Sequence, residues 1–217
     1  MTATAYARGM SGVIALQGGA AFSGHDDLDR RLLAEAGADK VVVLPTADAF
    51  ERPELLVASA MNWAERLGIQ VEALMVMRRD EALDEGAAAV IRGARAVWLV
   101  GDNPIHLRSV VKDTPVWAAM LDVLAAGGLV VGSGEPASAL CDPMIDPRGG
   151  GMALGLGLVT GMAVIANSEH ESHDRHVRAK KLANVPLVFL PSTSALVKRD
   201  NGWETVGPNE TVGELPG

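Results

Sequence analysis

Three histidines and three carboxylates lie within eight consecutive residues of the C-terminal third of the chain. Neutral imidazoles and carboxylates are common ligands of divalent metal ions. On an α-helix, residues three apart are neighbours and residues six apart diverge, so only a pair of these histidines can share one face. The segment therefore has two interpretations, a metal-binding module or a solvated helix of mixed charge. Its members are His170, His173, His176, Glu169, Glu171 and Asp174.

Ser133 is a candidate nucleophile, because it lies in a Gly-Ser-Gly turn directly after an apolar run. A serine on a sharp strand-to-helix turn can attack a carbonyl if a histidine accepts its proton. Glu135 and Pro136 follow, however, and a carboxylate beside a forming oxyanion repels it. Cys141 is expected within the helix that starts near Pro136, where a lone cysteine is more often a small core residue than a nucleophile. Ser133 is thus either a nucleophile or a serine that satisfies its own turn.

Apolar runs that alternate with helical periods extend over most of the chain. Continuous apolar strands between helices are typical of a parallel sheet covered by helices on both faces. We therefore predict an α/β fold with one domain over 11–217, a flexible N-terminal arm over 1–10 and a long loop over 143–157. The predicted strands are 12–16, 40–44, 69–76, 96–100 and 129–131, and the predicted helices are 26–36, 53–67, 81–92 and 116–126.

The loops that follow the strands are where such a sheet binds its ligands. They are 17–24, 45–52, 101–106, 132–138 and the polar segment after Val164. Gly18 and Gly19 are not followed by the residues of a phosphate-binding loop, so no nucleotide or other cofactor is predicted.

Composition and charge exclude several classes of function. The 217 residues include 19 basic and 27 acidic side chains, a formal net charge of −8. A chain this acidic is a poor candidate for binding nucleic acid or an anionic membrane. One cysteine permits no internal disulfide, and no apolar run suggests a signal peptide or a membrane span. We expect a cytoplasmic protein.

The order and spacing of six segments resemble peptidase family S51, the cyanophycinases and aspartyl dipeptidases, within the class I glutamine amidotransferase-like superfamily. The resemblance implies a flavodoxin-like, doubly wound sheet and a nucleophile elbow after Val131. It also suggests a homodimer. The segments are 12–22, 41–47, 94–107, 127–140, 155–161 and 194–207.

The chain departs from the family pattern at its catalytic positions. The S51 elbow usually reads Gly-Thr-Ser-Ala-Gly-Ala-Ser, and matching it here places Gly134 where the nucleophile belongs. Asp102 and Pro104 stand where the family has a glycine and a substrate-binding glutamine, and 190–192 lacks the family's acidic residue. His170 is the nearest counterpart of the family histidine, followed by Arg175 and Arg178 in place of the family's arginines.

These departures predict a relative that has lost peptidase activity and keeps a binding cleft. The expected ligand is a small acidic or peptide-like molecule, or a protein partner. The first alternative is an active hydrolase of acidic peptides that uses Ser133 and His170. The second is a metal-binding module built on His170, His173 and His176. The cleft is expected to include Gly101, Asp102, Asn103, Gly132, Gly134, Glu135, Arg175 and Arg178.

Overall fold

A seven-stranded sheet forms the centre of the computed structural model, which describes residues 11–217. The predicted N-terminal arm, 1–10, lies outside the described residues. The strand order is β13-β12-β1-β5-β4-β2-β3. The strands from β1 to β3 across this order are parallel, and β12 and β13 are antiparallel at the edge. These strands are β1 (Val13–Gln17), β2 (Lys40–Leu44), β3 (Gln70–Ala73), β4 (Ala96–Leu99), β5 (Leu129–Ser133), β12 (Ala195–Arg199) and β13 (Gly202–Val206).

Helices cover both faces of this sheet, as the apolar strands require. Alternate residues of β1 belong to different cores, Ile14 and Leu16 to one face, Val13 and Ala15 to the other. The α/β, flavodoxin-like fold is therefore confirmed. The first face packs against α3 (Arg79–Ala82), α4 (Glu85–Arg92), α5 (Pro104–Val111), α6 (Pro115–Ala125) and α7 (Glu135–Leu140), and the second against α1 (Asp26–Ala36) and α2 (Pro53–Leu67).

Small sheets and a last helix complete the C-terminal third. Strands β10 (Ala163–Ile165), β11 (Leu187–Phe189) and β14 (Glu210–Val212) form a three-stranded sheet, with α8 (His173–Leu182) between the first two in sequence. Two further pairs are β6 (Cys141–Asp142) with β9 (Val159–Thr160), and β7 (Met144–Ile145) with β8 (Met152–Ala153).

Helix capping and strand pairing explain where the observed elements differ from the predicted ones. The helix predicted over 81–92 is two helices, because Asp84 caps the second by accepting a hydrogen bond from the Gly86 amide at 2.9 Å. The loop predicted over 143–157 contains the antiparallel pair β7 and β8. Cys141 is not helical as predicted: it follows α7 and is the fully buried first residue of β6. The strand predicted over 69–76 is confined to Gln70–Ala73.

Candidate functional site

A sharp turn joins β5 to α7 at the carboxyl edge of the sheet. Gly134 forms it with φ +71° and ψ −137°, a backbone conformation that residues with a side chain rarely adopt. Its amide donates to the Gln17 carbonyl at 3.0 Å, which fixes the turn against the end of β1. Gly132 is equally constrained, since a Cβ there would lie 2.9 Å from the Ala137 nitrogen. The strand-turn-helix shape of an elbow is present, and the residue at its apex has no side chain.

Space for a side chain nevertheless remains above Gly134. A Cβ built on this residue would lie 3.7 Å from the Asn167 Nδ2 atom and 4.0 Å from the Gly101 carbonyl oxygen, both ordinary contact distances. Asn167, just beyond β10, is the side chain that approaches this point. Sequence reasoning missed it, although the loops after the strands were expected to meet here.

Ser133, the candidate nucleophile, is buried one residue before the apex. Its side chain is 2% exposed, and its hydroxyl donates to the Gly19 carbonyl at 3.3 Å. His25 Nε2 lies 3.1 Å from the same oxygen and 2.9 Å from the Ser192 carbonyl, so this nitrogen carries the proton and donates. Burial lowers the pKa of His25. No hydrogen bond joins Ser133 to an imidazole among residues 11–217.

The histidines of the predicted metal site are not brought together. The His170 side chain is 77% exposed and 3.9 Å from Glu169. His176 lies on α8, stacked at 3.9 Å on Phe189 and 3.0 Å from Glu210. Within the described part of the chain, no group of three or more His, Cys, Asp or Glu side chains is arranged to hold a metal ion. The metal-binding interpretation is therefore corrected to the solvated helix, because His170 precedes α8 and His176 packs away from it.

The arginines predicted to line the cleft have separate environments. Arg175 Nε pairs with Glu171 at 3.0 Å, one turn earlier. Arg178 is exposed on α8. Only Arg175 has an electrostatic effect on the elbow, since it is among the charges that influence Glu135.

Two carboxylates, Asp48 and Asp102, line the space above Gly134. A cavity of about 190 Å³ is lined by ten residues, including Asp48, Asp102, Gly134 and Asn167. A neighbouring cavity of about 390 Å³ is also lined by Asp48 and Asp102, and the two adjoining cavities are together called the cleft. The Asp102 amide donates to Asp48 Oδ1 at 3.3 Å, and the two loops are joined there.

Asp102 in the cleft and Glu135 directly after Gly134 are both disfavoured as anions, although the charge of Arg175 partly offsets the effect at Glu135. Burial, followed by the charges of Asp102 and Glu171, raises the pKa of Glu135 to about 7. Burial and then the charges of Asp48 and Glu51 raise the pKa of Asp102. Because like charges and loss of water both disfavour an anion, this cleft disfavours a further negative charge.

A buried polar cluster lies below the elbow and was also missed. Asp29 accepts from Gln17 Nε2 at 2.6 Å and from Trp63 Nε1 at 3.1 Å, and burial raises its pKa to about 7. The Gln17 Oε1 atom is buried without a partner among the described residues. The sequence did contain a signal that Asp29 is buried. It lies three, four and seven residues before Leu32, Leu33 and Ala36, which places it on the apolar face of α1.

Known proteins similar to this chain are peptidases. A cyanophycinase from Trichormus variabilis and one from a Nostoc species are each 25% identical to it, and each match covers 80% of this chain and 63% of the relative. The chain thus spans less than two thirds of the length of these curated relatives. A solved peptidase from an acI-B1 Actinobacterium has the same fold, with a TM-score of 0.83 and 21% identity over 94% of this chain and 95% of its own. No family model matches the chain. The chain is therefore similar in sequence to cyanophycinases and in fold to solved peptidases, which supports the resemblance to peptidase family S51.

The S51-like elbow of this chain combines a retained shape with changed side chains. The loops after β1, β2, β4, β5 and β10 all contribute to the cleft, as the family resemblance implies. Gly134 occupies the apex, Asp102 and Pro104 follow β4, and the side chain nearest the apex is the amide of Asn167. A carboxamide does not accept a proton from a hydroxyl as an imidazole does.

Among residues 11–217, every helix is too short or too polar to span a membrane.

Proposed function

We propose that this chain is a binding protein on the S51 peptidase fold, without serine-peptidase activity, whose cleft takes a small cationic, peptide-like molecule. The observation that carries the proposal is Gly134 at the apex of the elbow, with φ +71°. A hydrolase of this design needs a hydroxyl at that point and a base beside it. Here the apex has no side chain.

The environment of Ser133 further supports the loss of activity. Its hydroxyl is directed to the Gly19 carbonyl, which also interacts with His25. A buried hydroxyl that donates to a peptide carbonyl has no base to remove its proton. Removing such a nucleophile typically lowers turnover on the order of a millionfold.

The charge of the cleft supports a cationic ligand rather than the acidic one expected from the sequence. Asp48, Asp102 and Glu135 form no salt bridge among residues 11–217, and the pKa values of Asp102 and Glu135 are raised. An ammonium group placed among them would relieve their mutual repulsion. The two adjoining cavities, about 190 and 390 Å³, offer space on the scale of a dipeptide.

The loss of activity is tested by hydrolysis assays with aspartyl dipeptides and with β-linked Asp–Arg polymer. We expect no turnover and no labelling of Ser133 by a fluorophosphonate probe. Turnover that Ser133→Ala abolishes, together with labelling of Ser133, would establish the active hydrolase instead.

Binding is tested with two dipeptides that share a backbone and differ in charge. Alanyl-alaninamide carries an ammonium group and no carboxylate. N-acetyl-alanyl-alanine carries a carboxylate and no ammonium group. We expect calorimetry or ligand-detected NMR to show binding of the first only. Glu135→Gln should weaken it several-fold, whereas Glu65→Gln, the same change on the exposed surface of α2, should not. Equal binding of both dipeptides, or of neither, would overturn the cationic ligand.

The homodimer and the cytoplasmic location stay predictions from the sequence.

A further inference from the structure

The space above Gly134 has a hydrogen-bond donor on one side and an acceptor on the other. The donor is Asn167 Nδ2, 3.7 Å from the position of a Cβ on Gly134, and the acceptor is the Gly101 carbonyl oxygen, 4.0 Å from it. The space therefore admits a group about the size of a hydroxymethyl. Both polar atoms border the same cavity as Asp48 and Asp102.

The backbone holds the Asn167 carboxamide in place. Asn167 has φ +47°, its amide donates to the Gly18 carbonyl at 2.6 Å, and its carbonyl accepts from His170 at 2.9 Å. A Cβ on Gly19 would lie only 2.0 Å from Asn167 Oδ1, so the amide packs directly on that glycine. The side chain has no hydrogen-bond partner within residues 11–217, which leaves Nδ2 available.

Backbone strain is concentrated around this space. Four residues other than glycine have a positive φ in the described chain, namely Ala20, Phe22, Asp113 and Asn167. Ala20 and Asn167 line the cavity, and Phe22 belongs to the same loop as Ala20. Each such conformation costs on the order of 1–3 kcal/mol and persists where the surroundings enforce it. The fold itself therefore enforces the backbone conformation that shapes the cavity, and neither a ligand nor a nucleophile side chain is needed for it.

We infer that the space left by the missing nucleophile side chain binds a hydroxyl group of the ligand, with Asn167 as the residue that determines this specificity. The inference rests on the proposed function, because the rest of the ligand would lie in the cationic cleft. The ligand class is then a cationic, peptide-like molecule with a serine-like hydroxymethyl group.

A hydroxyl matches the two polar atoms better than other small groups do. It accepts from Asn167 Nδ2 and donates to the Gly101 carbonyl in one position. A methyl group would remove water from both atoms without replacing their hydrogen bonds. A carboxylate would meet the Gly101 carbonyl and Asp102, and an ammonium group would meet the Asn167 donor.

The test compares seryl-alaninamide with 2-aminobutyryl-alaninamide, in which a methyl replaces the hydroxyl at nearly the same size. We expect the seryl compound to bind the wild-type protein about tenfold more tightly, measured by calorimetry. Gly134→Ala should abolish this preference, because its Cβ fills the space. Asn167→Asp should reduce it, because a carboxylate can accept from the hydroxyl but donates no hydrogen bond to it.

Two control variants separate recognition from stability. Gly68→Ala introduces a Cβ at a positive φ of +73°, with ψ 34° and no atom within 4 Å, so it places an alanine at a left-handed glycine position far from the cavity. Asn201→Asp makes the same chemical change as Asn167→Asp in the exposed turn between β12 and β13. Both controls should keep the preference, and circular dichroism should show that all four variants are folded.

The outcomes distinguish the inference from the proposed function. Equal affinity of the seryl and aminobutyryl compounds, while alanyl-alaninamide still binds, would overturn the hydroxyl site alone. A preference that survives Gly134→Ala, or that Asn167→Asp leaves unchanged, would also overturn it. Failure of all three compounds to bind would overturn the inference together with the cationic ligand.

Discussion

Single residues decide the chemistry available to this protein. Gly134 provides a turn and no nucleophile, Ser133 is directed to a carbonyl, and Asn167 presents an amide where a base is needed. Each change alone is compatible with a displaced active site. Together they support the proposed loss of peptidase activity, because the apex has no side chain and the side chain that approaches it is an amide.

Asp29 gives a prediction at this scale. Burial raises its pKa from 3.8 to about 7, so between these values the folded protein holds a proton that the unfolded chain releases. The stability contributed by the neutral acid is therefore present below about pH 4 and is lost as the pH rises through about 7. Relative to Asp29→Asn, which does not titrate, the wild-type protein should lose on the order of 2 kcal/mol between pH 5 and 8.

The measurement is urea unfolding of both proteins across this pH range. The carboxamide introduced by Asp29→Asn could donate to Gln17 Oε1 after a flip of the glutamine, so the variant should fold. His25, whose lowered pKa destabilises the fold toward acid, and Glu135 titrate in both proteins and cancel in the difference. A difference that does not change with pH would show that Asp29 stays ionised.

Secondary-structure elements bring these residues together and fix their loops. The parallel strands end at one edge of the sheet, and the loops after them form the cleft. Hydrogen bonds between loops then set their spacing. His25 joins the loop after β1 to the loop before β12, and Asp48 joins the loop after β2 to that after β4.

The junction between α5 and α6 gives a prediction at the scale of elements. Thr114 is 5% exposed, accepts from the Trp117 amide at 3.2 Å and donates to the Val111 carbonyl at 2.6 Å. Thr114→Ala should lower the free energy of unfolding by about 1–2 kcal/mol, because it removes the cap of a buried helix start. Thr114→Ser keeps the hydroxyl and should retain most of the stability.

A matched exposed cap tests whether burial sets this cost. Ser172 caps α8 by accepting from the Arg175 amide at 3.3 Å, and it is exposed. Ser172→Ala should cost less than Thr114→Ala in the same denaturant titrations, since water can replace the lost bond. Equal losses would contradict this explanation.

The whole molecule combines a formal net charge of −8 with a cleft lined by carboxylates. Both properties attract cations and repel anions. Some exposed charges elsewhere are paired, as in the network of Arg199 with Glu35 and Glu204 that joins β12 to α1 and β13. Burial and neighbouring carboxylates raise the pKa values of Asp102 and Glu135, which is why the ligand charge is argued from the carboxylates near the elbow.

Salt dependence gives the prediction at the scale of the molecule. The affinity for alanyl-alaninamide should fall when NaCl is raised from about 20 to about 500 mM, because screening weakens the attraction between the ammonium group and the cleft. Calorimetric titrations at several salt concentrations measure this. In Glu135→Gln the fall should be smaller. An affinity that does not respond to salt would show that apolar contacts dominate binding.

The sequence by itself predicted the architecture of this protein and placed a glycine at the apex of the elbow. Apolar runs such as 41–44 are readable because a strand buried on both faces consists mostly of apolar residues, and Gly134 follows from matching the elbow motif. The buried position of Asp29 was also within reach, from its spacing on α1.

Only the tertiary structure decided which side chains meet at the elbow. Asn167 lies in the loop after β10, a strand of a separate small sheet, and nothing in the local sequence specifies that this loop approaches Gly134. The position of His170 was likewise not predictable, because the spacing of residues in the sequence does not show that its side chain is exposed and apart from the turn. Distances between loops depend on the packing of the whole chain, whereas the period of a strand or helix depends only on neighbours in sequence.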